Sequence, residues 1–422
     1  YALARGGLNV AMVEQDLWGG TCPNRGCDPK KILHSAVEVV ERNNQLVGKG
    51  FAPIHSVNWA ELMAFKRGFT LPYPEEFRQD AQRHGLETRK GSAAFLSATQ
   101  LQVDGEQMEA DHFVITTGQR PNILNIEGKE HLKTSSDFLD MDDMPQRIIF
   151  IGAGYIAFEL AAIANAAGSD VTIVEYGSRA LMGFDEAFAA EMVKAYEARG
   201  VRFAFGVSAE KVVKQGGAYI LSGGAYVEES DYIVASTGRV PNTEKLGLEK
   251  AGVAYTKRGI TVNQCLQTAN PAIYACGDVM DKGTPRLTPV SSFEGRYVAQ
   301  KILDDTTGGI AYPPIVTVVY GSPKLAQAGV TPEQAQKEPE KYRVREVDMT
   351  GWFTYRRLND PVAKAKLVFE KERLAGAAVL SSQADDLIND LAIILDKGIT
   401  HGELLKMVFG SPTIASDLLH MV

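Results

Sequence analysis

Short runs of consecutive apolar residues alternate along this chain with segments whose apolar positions repeat at a helical spacing. Residues 9–14 and 171–175 are predicted strands that each end in a glutamate, and residues 147–151 form a continuous apolar strand. Residues 158–167 have the pattern of a buried helix, and residues 1–5 that of a helix tail. Buried strands that alternate with helices are typical of an α/β fold with a parallel sheet.

The pattern changes from about residue 312 onward. Strands are predicted near residues 341–355 and 363–370, then over residues 375–380, and long helices follow them.

Two segments at predicted strand ends resemble each other. One reads Phe113-Val-Ile-Thr-Thr-Gly-Gln-Arg-Pro-Asn122, and the other reads Tyr232-Ile-Val-Ala-Ser-Thr-Gly-Arg-Val-Pro-Asn242. We expect each segment to close a nucleotide-binding domain.

Composition and charge narrow the class of protein. The 422 residues predict two to four domains, and 45% hydrophobic with 23% charged residues is ordinary for a globular chain. Four cysteines are too few for a secreted disulfide framework, and we find neither a signal peptide nor a membrane-spanning run, so we expect a cytoplasmic protein. A net charge of −8 argues against nucleic acid or an anionic membrane as a partner.

A pair of cysteines, Cys22 and Cys27, stands in the segment Gly-Gly-Thr-Cys-Pro-Asn-Arg-Gly-Cys-Asp-Pro-Lys-Lys that ends at Lys31. This spacing indicates a redox-active disulfide. A structural disulfide or half of a metal site are the alternatives. No second ligand pair stands at zinc-site spacing, so we expect no metal.

The backbone between the two cysteines is predicted to bend. On a regular helix their Cα atoms would be about 8–9 Å apart, which exceeds the reach of a disulfide, about 7 Å. Pro23 suits a first helical turn and Gly26 relaxes the backbone, so the pair could bridge at a distorted helix start. We expect Lys30 and Lys31, with the helix N-terminus, to lower the pKa of the reactive thiol.

A dinucleotide-binding motif follows the strand at residues 147–151. Gly152-Ala-Gly154-Tyr-Ile-Ala157 is a G-x-G-x-x-A turn, whose glycines let the backbone approach a pyrophosphate at a helix N-terminus. Glu175 ends the next strand, where an acid accepts from a ribose 2′-hydroxyl and repels a 2′-phosphate, and this favours NADH. The alternative is a plain tight turn between packed elements.

Two further acids follow predicted strands. Glu14 occupies the ribose-binding position of a βαβ unit whose first strand and glycine turn, about 20 residues, we expect to precede residue 1. Asp278 follows a buried strand and Gly277, where it would hold a polyol hydroxyl or merely cap a turn, and a helix is predicted from Pro289.

Together these motifs resemble the class I pyridine nucleotide-disulfide oxidoreductases, a family that includes glutathione reductase, dihydrolipoamide dehydrogenase and mercuric reductase. The resemblance covers essentially the whole chain. It implies two Rossmann-like, three-layer domains that bind FAD and NAD(P), and an α+β dimerisation domain. The implied boundaries are 1–146 and 267–311 for the FAD domain, 147–266 for the NAD(P) domain and 312–422 for the dimerisation domain of a homodimer.

The resemblance also implies cofactors and residue roles. FAD lies between a nicotinamide and the cysteine pair, with Cys27 against the flavin and Cys22 as the interchange thiol. Lys30 and Glu159 match an ion pair near flavin N5, and Tyr155 matches the gate over the nicotinamide pocket. The implied FAD-binding residues are Glu14, Gly20, Thr21, Lys31, Thr117, Gly118, Asp278 and Thr288. The implied NAD-binding residues are Gly152, Gly154, Tyr155, Ile156, Glu175 and Gly238.

Two features refine the expected chemistry. Tyr176 and Met182 stand where NADPH-specific members carry basic residues, which strengthens the NADH prediction. Ser411 occupies the position of the His that serves as acid–base for thiol exchange in the reductases of small disulfides, and Ser416 that of its Glu partner. We therefore expect NADH oxidation with poor turnover of glutathione-like disulfides.

Other residues could replace the missing base, but structural roles are favoured for all of them: His34, His401, His420 and Asp417. Cys265 and Cys276 are predicted to be small buried hydrophobes. The chain also lacks a terminal cysteine pair of the kind mercuric reductase uses to hand on mercury, which disfavours a metal substrate without excluding it.

Three functions remain open from the sequence. The first is an FAD enzyme that passes electrons from NADH through its own disulfide to a small-molecule acceptor, either a disulfide or a soft metal ion. The second is a diaphorase-like flavoprotein that reduces a quinone or oxygen, with the cysteine pair as a sensor or vestige. The third is a non-catalytic nucleotide-binding protein.

Overall fold

The computed structural model describes residues 1–54 and 57–422. Over these residues the helices are α1 (Ala2–Arg5), α2 (Thr21–Arg25), α3 (Cys27–Leu46), α4 (Trp59–Thr70), α5 (Tyr73–Arg83), α6 (Ser135–Phe138), α7 (Tyr155–Ala166), α8 (Glu186–Glu197), α9 (Thr288–Leu303), α10 (Pro332–Lys337), α11 (Phe353–Arg356), α12 (Ala384–Lys397), α13 (His401–Leu404) and α14 (Ile414–Met421). Short 3₁₀ turns lie at Lys129–His131 and Gly277–Val279.

The strands of the same residues are β1 (Val10–Glu14), β2 (Leu86–Lys90), β3 (Ala93–Phe95), β4 (Gln100–Val103), β5 (Glu106–Glu109), β6 (Phe113–Ile115), β7 (Gln119–Pro121), β8 (Arg147–Ile151), β9 (Asp170–Glu175), β10 (Arg202–Phe205), β11 (Lys211–Gln215), β12 (Ala218–Gly223), β13 (Tyr226–Ser230), β14 (Tyr232–Ala235), β15 (Arg239–Pro241), β16 (Tyr255–Thr256), β17 (Gly259–Ile260), β18 (Ile273–Ala275), β19 (Thr317–Val319), β20 (Lys324–Gly329), β21 (Tyr342–Asp348), β22 (Lys364–Glu370) and β23 (Arg373–Ser381).

The first compact unit consists of Tyr1–Pro29, Phe65–Asn122 and Gly238–Tyr312. Its parallel pairs are β1 with β2 and β6 with β18, and β3, β4 and β5 form an antiparallel meander. Strand β18 is buried on both faces, as its apolar sequence predicts. Because β6 and β18 run in the same direction, the residues after their carboxyl ends meet at one edge of the sheet.

The second unit consists of Lys30–Ala64, Ile123–Thr237 and Pro313–Val422. It contains a four-stranded parallel sheet in the order β10-β9-β8-β14. Helix α7 connects β8 to β9, and eight of its twelve residues are buried. The sheet order and the buried helix match the predicted dinucleotide-binding half.

The second unit also contains a five-stranded antiparallel sheet, in the order β19-β20-β23-β22-β21, against which helix α12 packs. This is the predicted α+β arrangement. One element differs: the strand expected over residues 341–355 ends at Asp348, and Phe353–Arg356 form the short helix α11. Asp348 caps the following turn by accepting the N–H of Thr350, so the strand cannot continue.

Every helix in residues 1–54 and 57–422 is too short or too polar to cross a membrane.

Candidate active site

The chain bends between the two cysteines of the predicted redox pair. Helix α2 ends at Arg25, Gly26 adopts φ −134° and ψ −114°, and α3 begins at Cys27. A Cβ on Gly26 would lie 3.0 Å from the carbonyl oxygen of Thr21 and 3.1 Å from the Cα of Cys22. The predicted bend is therefore present, and Gly26 permits it because it leaves room for the preceding turn.

The structure holds Cys22 and Cys27 as thiols in hydrogen-bond contact with each other. Cys27 is exposed, and its Sγ lies 3.5 Å from Thr288 Oγ1. The hydrogen bond to Cys27, followed by burial, raises the pKa of the Cys22 thiol. The expectation of a lowered thiol pKa is thus wrong for Cys22, because the contact with Cys27 and burial favour its neutral thiol, and Asp28 adds a nearby negative charge.

Thr288 is the first residue of the sixteen-residue helix α9. The N-cap residue is Leu287, whose apolar side chain does not cap this N-terminus. The first backbone N–H groups of a helix carry partial positive charge and are available to an acceptor. Cys27 therefore lies beside a helix start that favours negative charge.

Asp278 lies directly after β18, in the turn Gly277–Val279. Its Oδ2 accepts a hydrogen bond from Gln119 Nε2 at 2.8 Å, and Ser291 Oγ donates to Oδ1 at 3.4 Å. The N–H of Gly277 donates to Glu294 Oε2 at 2.7 Å. The Asp278 carboxylate is therefore held in place from both sides.

The last residues of the two similar segments, residues 117–122 and 238–242, pair with each other in the first unit. Strand β7 pairs antiparallel with β15, so these residues lie side by side. Asn242 N–H donates to the carbonyl of Gly118, and Asn122 N–H donates to the carbonyl of Gly238. Thr117 Oγ1 also donates to the carbonyl of Asn242 at 2.7 Å. This reciprocal pairing fixes the backbone at both predicted glycines.

Lys30 and Glu159 form a buried ion pair in the second unit. Lys30 Nζ lies 2.9 Å from Glu159 Oε2, and their side chains are 16% and 3% exposed. The other oxygen, Oε1, accepts the N–H of Tyr320 at 3.0 Å. The ammonium groups of Lys30 and Lys31 lie 4.8 and 4.1 Å from the centre of the Tyr320 ring, and burial lowers the pKa of Lys31.

The G-x-G-x-x-A turn joins β8 to α7. Gly152 has φ +98°, and a Cβ there would lie 2.8 Å from the carbonyl oxygen of Ser236. Gly154 is the N-cap residue of α7 and has no side chain to cap that helix, and a Cβ on Gly154 would project into open space. Glu175 accepts the N–H of Ala153 at 2.6 Å, which places its carboxylate at this turn.

The remaining predicted binding residues occupy the following surroundings. Tyr155 is 40% exposed at the start of α7, and Tyr176 and Met182 are 79% and 73% exposed. Glu14 ends β1, and its Oε1 accepts the N–H of Asp16. The others are half-buried Gly20 before α2, exposed Thr21 at the start of α2, half-buried Ile156 in α7, and exposed Gly238 before β15.

The residues fit the two implied cofactors. In the first unit, the uncapped start of α9, the Asp278 carboxylate and the positive-φ glycines Gly20 and Gly118 offer a flavin dinucleotide N–H donors, a hydroxyl acceptor and close backbone approach. In the second unit, the open space beside Gly154 at the uncapped start of α7 suits a pyrophosphate.

Ser411 and Ser416, in the C-terminal segment, have different surroundings. Thr413 caps α14, and Ser416 Oγ accepts the N–H of Thr413 at 3.1 Å in a capping box. Ser411 is exposed and lines a cavity of about 500 Å³ with Asp417 and His420. Burial raises the pKa of Asp417. Ser416 therefore has a helix-capping role.

Three further residues for which structural roles were predicted are described by the structure. His34 is buried, with its Nδ1 3.6 Å from Glu38 Oε1. Cys276 is buried, as predicted, and burial raises the pKa of its thiol to about 12. Cys265 is only half-buried, so the prediction of a buried hydrophobe is wrong for that residue.

Sequence reasoning missed Gln119, Glu294, Lys282 and Tyr320. A signal for Glu294 was present, because positions 290, 294 and 298 share one face of α9 and the outer two are buried valines. A charged residue in such a stripe indicates a buried partner.

Two sequence profiles of one family and several known proteins match this chain. Residues 1–295 match the sequence profile described as "Pyridine nucleotide-disulphide oxidoreductase", and residues 315–422 match its dimerisation domain. Mercuric reductase of Staphylococcus aureus is 31% identical, over 98% of this chain and 77% of that protein. Glutathione reductase of Burkholderia cepacia is 31% identical, over 98% and 93%.

Dihydrolipoyl dehydrogenase of Geobacillus stearothermophilus is 28% identical, over 97% of this chain and 89% of that protein. Among solved structures, the HOCl-induced flavoprotein disulfide reductase RclA from Escherichia coli has the same fold, with a TM-score of 0.89. That match has 24% sequence identity and covers 99% of this chain and 94% of the other.

Proposed function

The chain belongs to the pyridine nucleotide-disulphide oxidoreductase family, and we propose that it uses NADH to reduce its own Cys22–Cys27 disulfide and then a small-molecule acceptor. Members of this family depend on FAD and use NAD(P)H, so the chain is an FAD-dependent oxidoreductase. The observation that carries the proposal is the position of Cys27, 3.5 Å from Thr288 at the uncapped start of α9.

The proposed cycle balances as two half-reactions. First, NADH and one proton convert the enzyme disulfide to two thiols and NAD⁺. Then the dithiol reduces the acceptor: for a disulfide substrate, two substrate thiols leave as the Cys22–Cys27 bond forms again. When bound, FAD supplies the two-electron transfer that links NADH to the disulfide.

The residues of the chain have distinct proposed roles in this cycle. Cys27 is the thiol toward the cofactor, because the start of α9 stabilises negative charge on its sulfur. Cys22 is the interchange thiol, and its raised pKa keeps it protonated. Lys30 and Glu159 form a fixed ion pair that steadies charge when a hydride arrives.

The protonated Cys22 makes the missing base important. A thiolate is the nucleophile in disulfide exchange, so Cys22 must lose its proton to attack a substrate. Ser411 carries a hydroxyl that does not take up a proton near neutral pH, and Ser416 is used as a helix cap. The proposed acceptor is therefore a disulfide that brings its own proton source, or a soft metal ion. Reduction of glutathione disulfide at the rate of a His-bearing relative would contradict this part of the proposal.

A preference for NADH is part of the same proposal. The Glu175 carboxylate at the phosphate turn would repel a 2′-phosphate, and exposed Tyr176 and Met182 offer no positive charge to attract one. We expect kcat/KM for NADH to exceed that for NADPH by at least about 10-fold, and Tyr176→Arg with Met182→Arg to narrow the ratio. Equal use of both coenzymes by the wild type would contradict the preference.

Assembly and location complete the proposal. The dimerisation domain at residues 315–422 supports a homodimer, and the implied boundaries at residues 147, 267 and 312 stay a prediction. A cytoplasmic location remains proposed, because four cysteines are few for a secreted chain.

Replacement of Cys22 by serine tests the proposed path. NADH-dependent reduction of the chromogenic disulfide 5,5′-dithiobis(2-nitrobenzoate) should fall by at least about 100-fold, whereas reduction of the quinone menadione, which needs no thiol, should persist. Cys265→Ser is the matched control and should change neither activity. Disulfide reduction that survives Cys22→Ser would favour the diaphorase reading, and a full-length protein that binds no FAD would favour a non-catalytic one.

A further inference from the structure

The turn that carries Asp278 rests on a buried carboxylate. Glu294 on α9 is 0% exposed, and both of its oxygens accept hydrogen bonds. Lys282 Nζ lies 2.7 and 2.9 Å from the two oxygens, and Tyr312 donates its hydroxyl to Oε1 at 2.8 Å. The N–H of Gly277 donates to Oε2 at 2.7 Å. All of these residues belong to the first unit.

A buried carboxylate at position 294 costs free energy, so the residues that it contacts indicate its role. Burying a charge without partners costs several kcal/mol. Position 294 lies in the stripe between the buried valines Val290 and Val298, where an apolar residue would fit. Lys282, whose side chain is 7% exposed, neutralises Glu294. The pair is therefore a buried ion pair in a place where packing alone would not require one.

What the carboxylate fixes is the main chain of Gly277. This residue has φ +80°, a conformation that favours glycine, and a Cβ there would lie 3.2 Å from Ser291 Oγ. Asp278 is the next residue, and its side chain is held by Gln119 and Ser291. The turn thus has two sets of restraints: Glu294 sets its backbone, and Gln119 with Ser291 set the direction of the Asp278 carboxylate.

We propose that Glu294 is a positioning residue of the FAD site, which fixes the Gly277 backbone so that Asp278 is held ready for a hydroxyl of the ribityl chain. Lys282 and Tyr312 serve this role by stabilising Glu294 as an anion. The inference rests on the proposed role of Asp278 in holding FAD. Without Glu294, FAD binding has to order the turn, and this cost appears as weaker affinity.

The test is the dissociation constant of FAD, measured on the apoprotein of the full chain by quenching of flavin fluorescence. Asp278→Asn should weaken FAD binding at least about 10-fold, since it removes the proposed acceptor charge. Glu294→Leu should weaken it by a similar factor, and Glu294→Gln, which keeps an acceptor for the Gly277 N–H, should recover most of the affinity. Glu244→Gln, which removes an exposed ion pair with Arg120, is the matched control and should leave affinity unchanged.

A double variant tests whether weaker FAD binding is caused only by a loss of folding. Lys282→Met combined with Glu294→Leu replaces the ion pair by apolar side chains, an exchange that is often neutral for stability. The double variant loses the acceptor of the Gly277 N–H and the Tyr312 hydroxyl, so its thermal midpoint should fall modestly while the unfolding transition stays cooperative. The folded variant should bind FAD at least about 10-fold more weakly than the wild type.

Different results would contradict the proposed role of Asp278 and the proposed role of Glu294. If Asp278→Asn binds FAD like the wild type, the proposed role of Asp278 is wrong. If Asp278→Asn weakens binding while the folded double variant binds like the wild type, the role of Glu294 is wrong. An equal loss in Glu294→Gln and Glu294→Leu would also contradict the claim that the carboxylate acts through the Gly277 N–H.

Discussion

Replacing Lys30 by methionine should leave the Glu159 carboxylate without its cation in a buried place. Lys30 Nζ lies 2.9 Å from Glu159 Oε2, and the Glu159 side chain is 3% exposed. Its second oxygen keeps one hydrogen bond, from the N–H of Tyr320 at 3.0 Å. Methionine retains most of the apolar stem of lysine, so the substitution removes charge more than packing.

The expected loss follows from this geometry. Removing one partner of a buried ion pair costs about 3–5 kcal/mol. We expect Lys30→Met to lower the free energy of unfolding by about 3 kcal/mol at pH 7.

The reverse substitution provides the comparison. Glu159→Gln leaves Lys30, which is 16% exposed and keeps some contact with water, so it should cost about 2 kcal/mol. Combining Lys30→Met with Glu159→Met should cost less than the sum of the single substitutions by at least about 1 kcal/mol, because no charge remains buried.

The assay is urea unfolding of the FAD-loaded protein at fixed protein and FAD concentrations, followed by tryptophan fluorescence at pH 7. The same variants are mixed with NADH in a stopped-flow spectrometer, where Lys30→Met should slow flavin reduction at least about 10-fold. Losses that simply add, or a Lys30→Met variant as stable as the wild type at pH 7, would refute the assignment of a coupled buried pair.

Two further predictions concern the thiols and the second unit. In the reduced enzyme, Cys22 should react with iodoacetamide slowly at pH 8.5 and faster as the pH rises. Cys27→Ser should speed this reaction at pH 8.5, because it removes the main cause of the raised pKa of Cys22. Equal rates with and without Cys27 would contradict that cause. Lys366→Met should lower the free energy of unfolding by about 3 kcal/mol in urea, since it leaves a buried aspartate unpaired. Lys364→Met, from a pair that is one-third exposed, should cost about 0.5 kcal/mol, and similar losses for both lysines would show that burial does not set the difference.

Local patterns in the sequence predicted the elements that hold the site. The strand at residues 147–151, its glycine turn and the following buried helix are present, because apolar runs and glycines act over a few residues. The bend at Gly26 was also predictable, since two cysteines on a regular helix are too far apart to bridge.

Contacts between distant parts of the chain were not predictable from local pattern. Gln119 bonds Asp278 across 159 residues, and Tyr320 donates to Glu159 across 161. The predicted direction of the Cys22 pKa shift was wrong for a related reason. Neighbouring lysines in the sequence suggested a lowered pKa, whereas the contact with Cys27, brought close by the bend, raises it.

The C-terminal departure from the family pattern has a local explanation at one position. Ser416 closes a capping box with Thr413 at the start of α14, a role in which serine is favoured. Ser411, by contrast, is exposed at the cavity it shares with Asp417, and nothing in the structure explains serine there.

The most direct test of the central claim is an anaerobic NADH titration of the FAD-loaded protein, with samples trapped by N-ethylmaleimide and analysed by mass spectrometry. The account predicts that Cys22 and Cys27 are linked before NADH is added. Both should become alkylated as the first equivalent per chain is consumed, while Cys276 stays unmodified because it is buried. A protein that consumes NADH and bleaches its flavin while Cys22 and Cys27 remain linked would contradict the account.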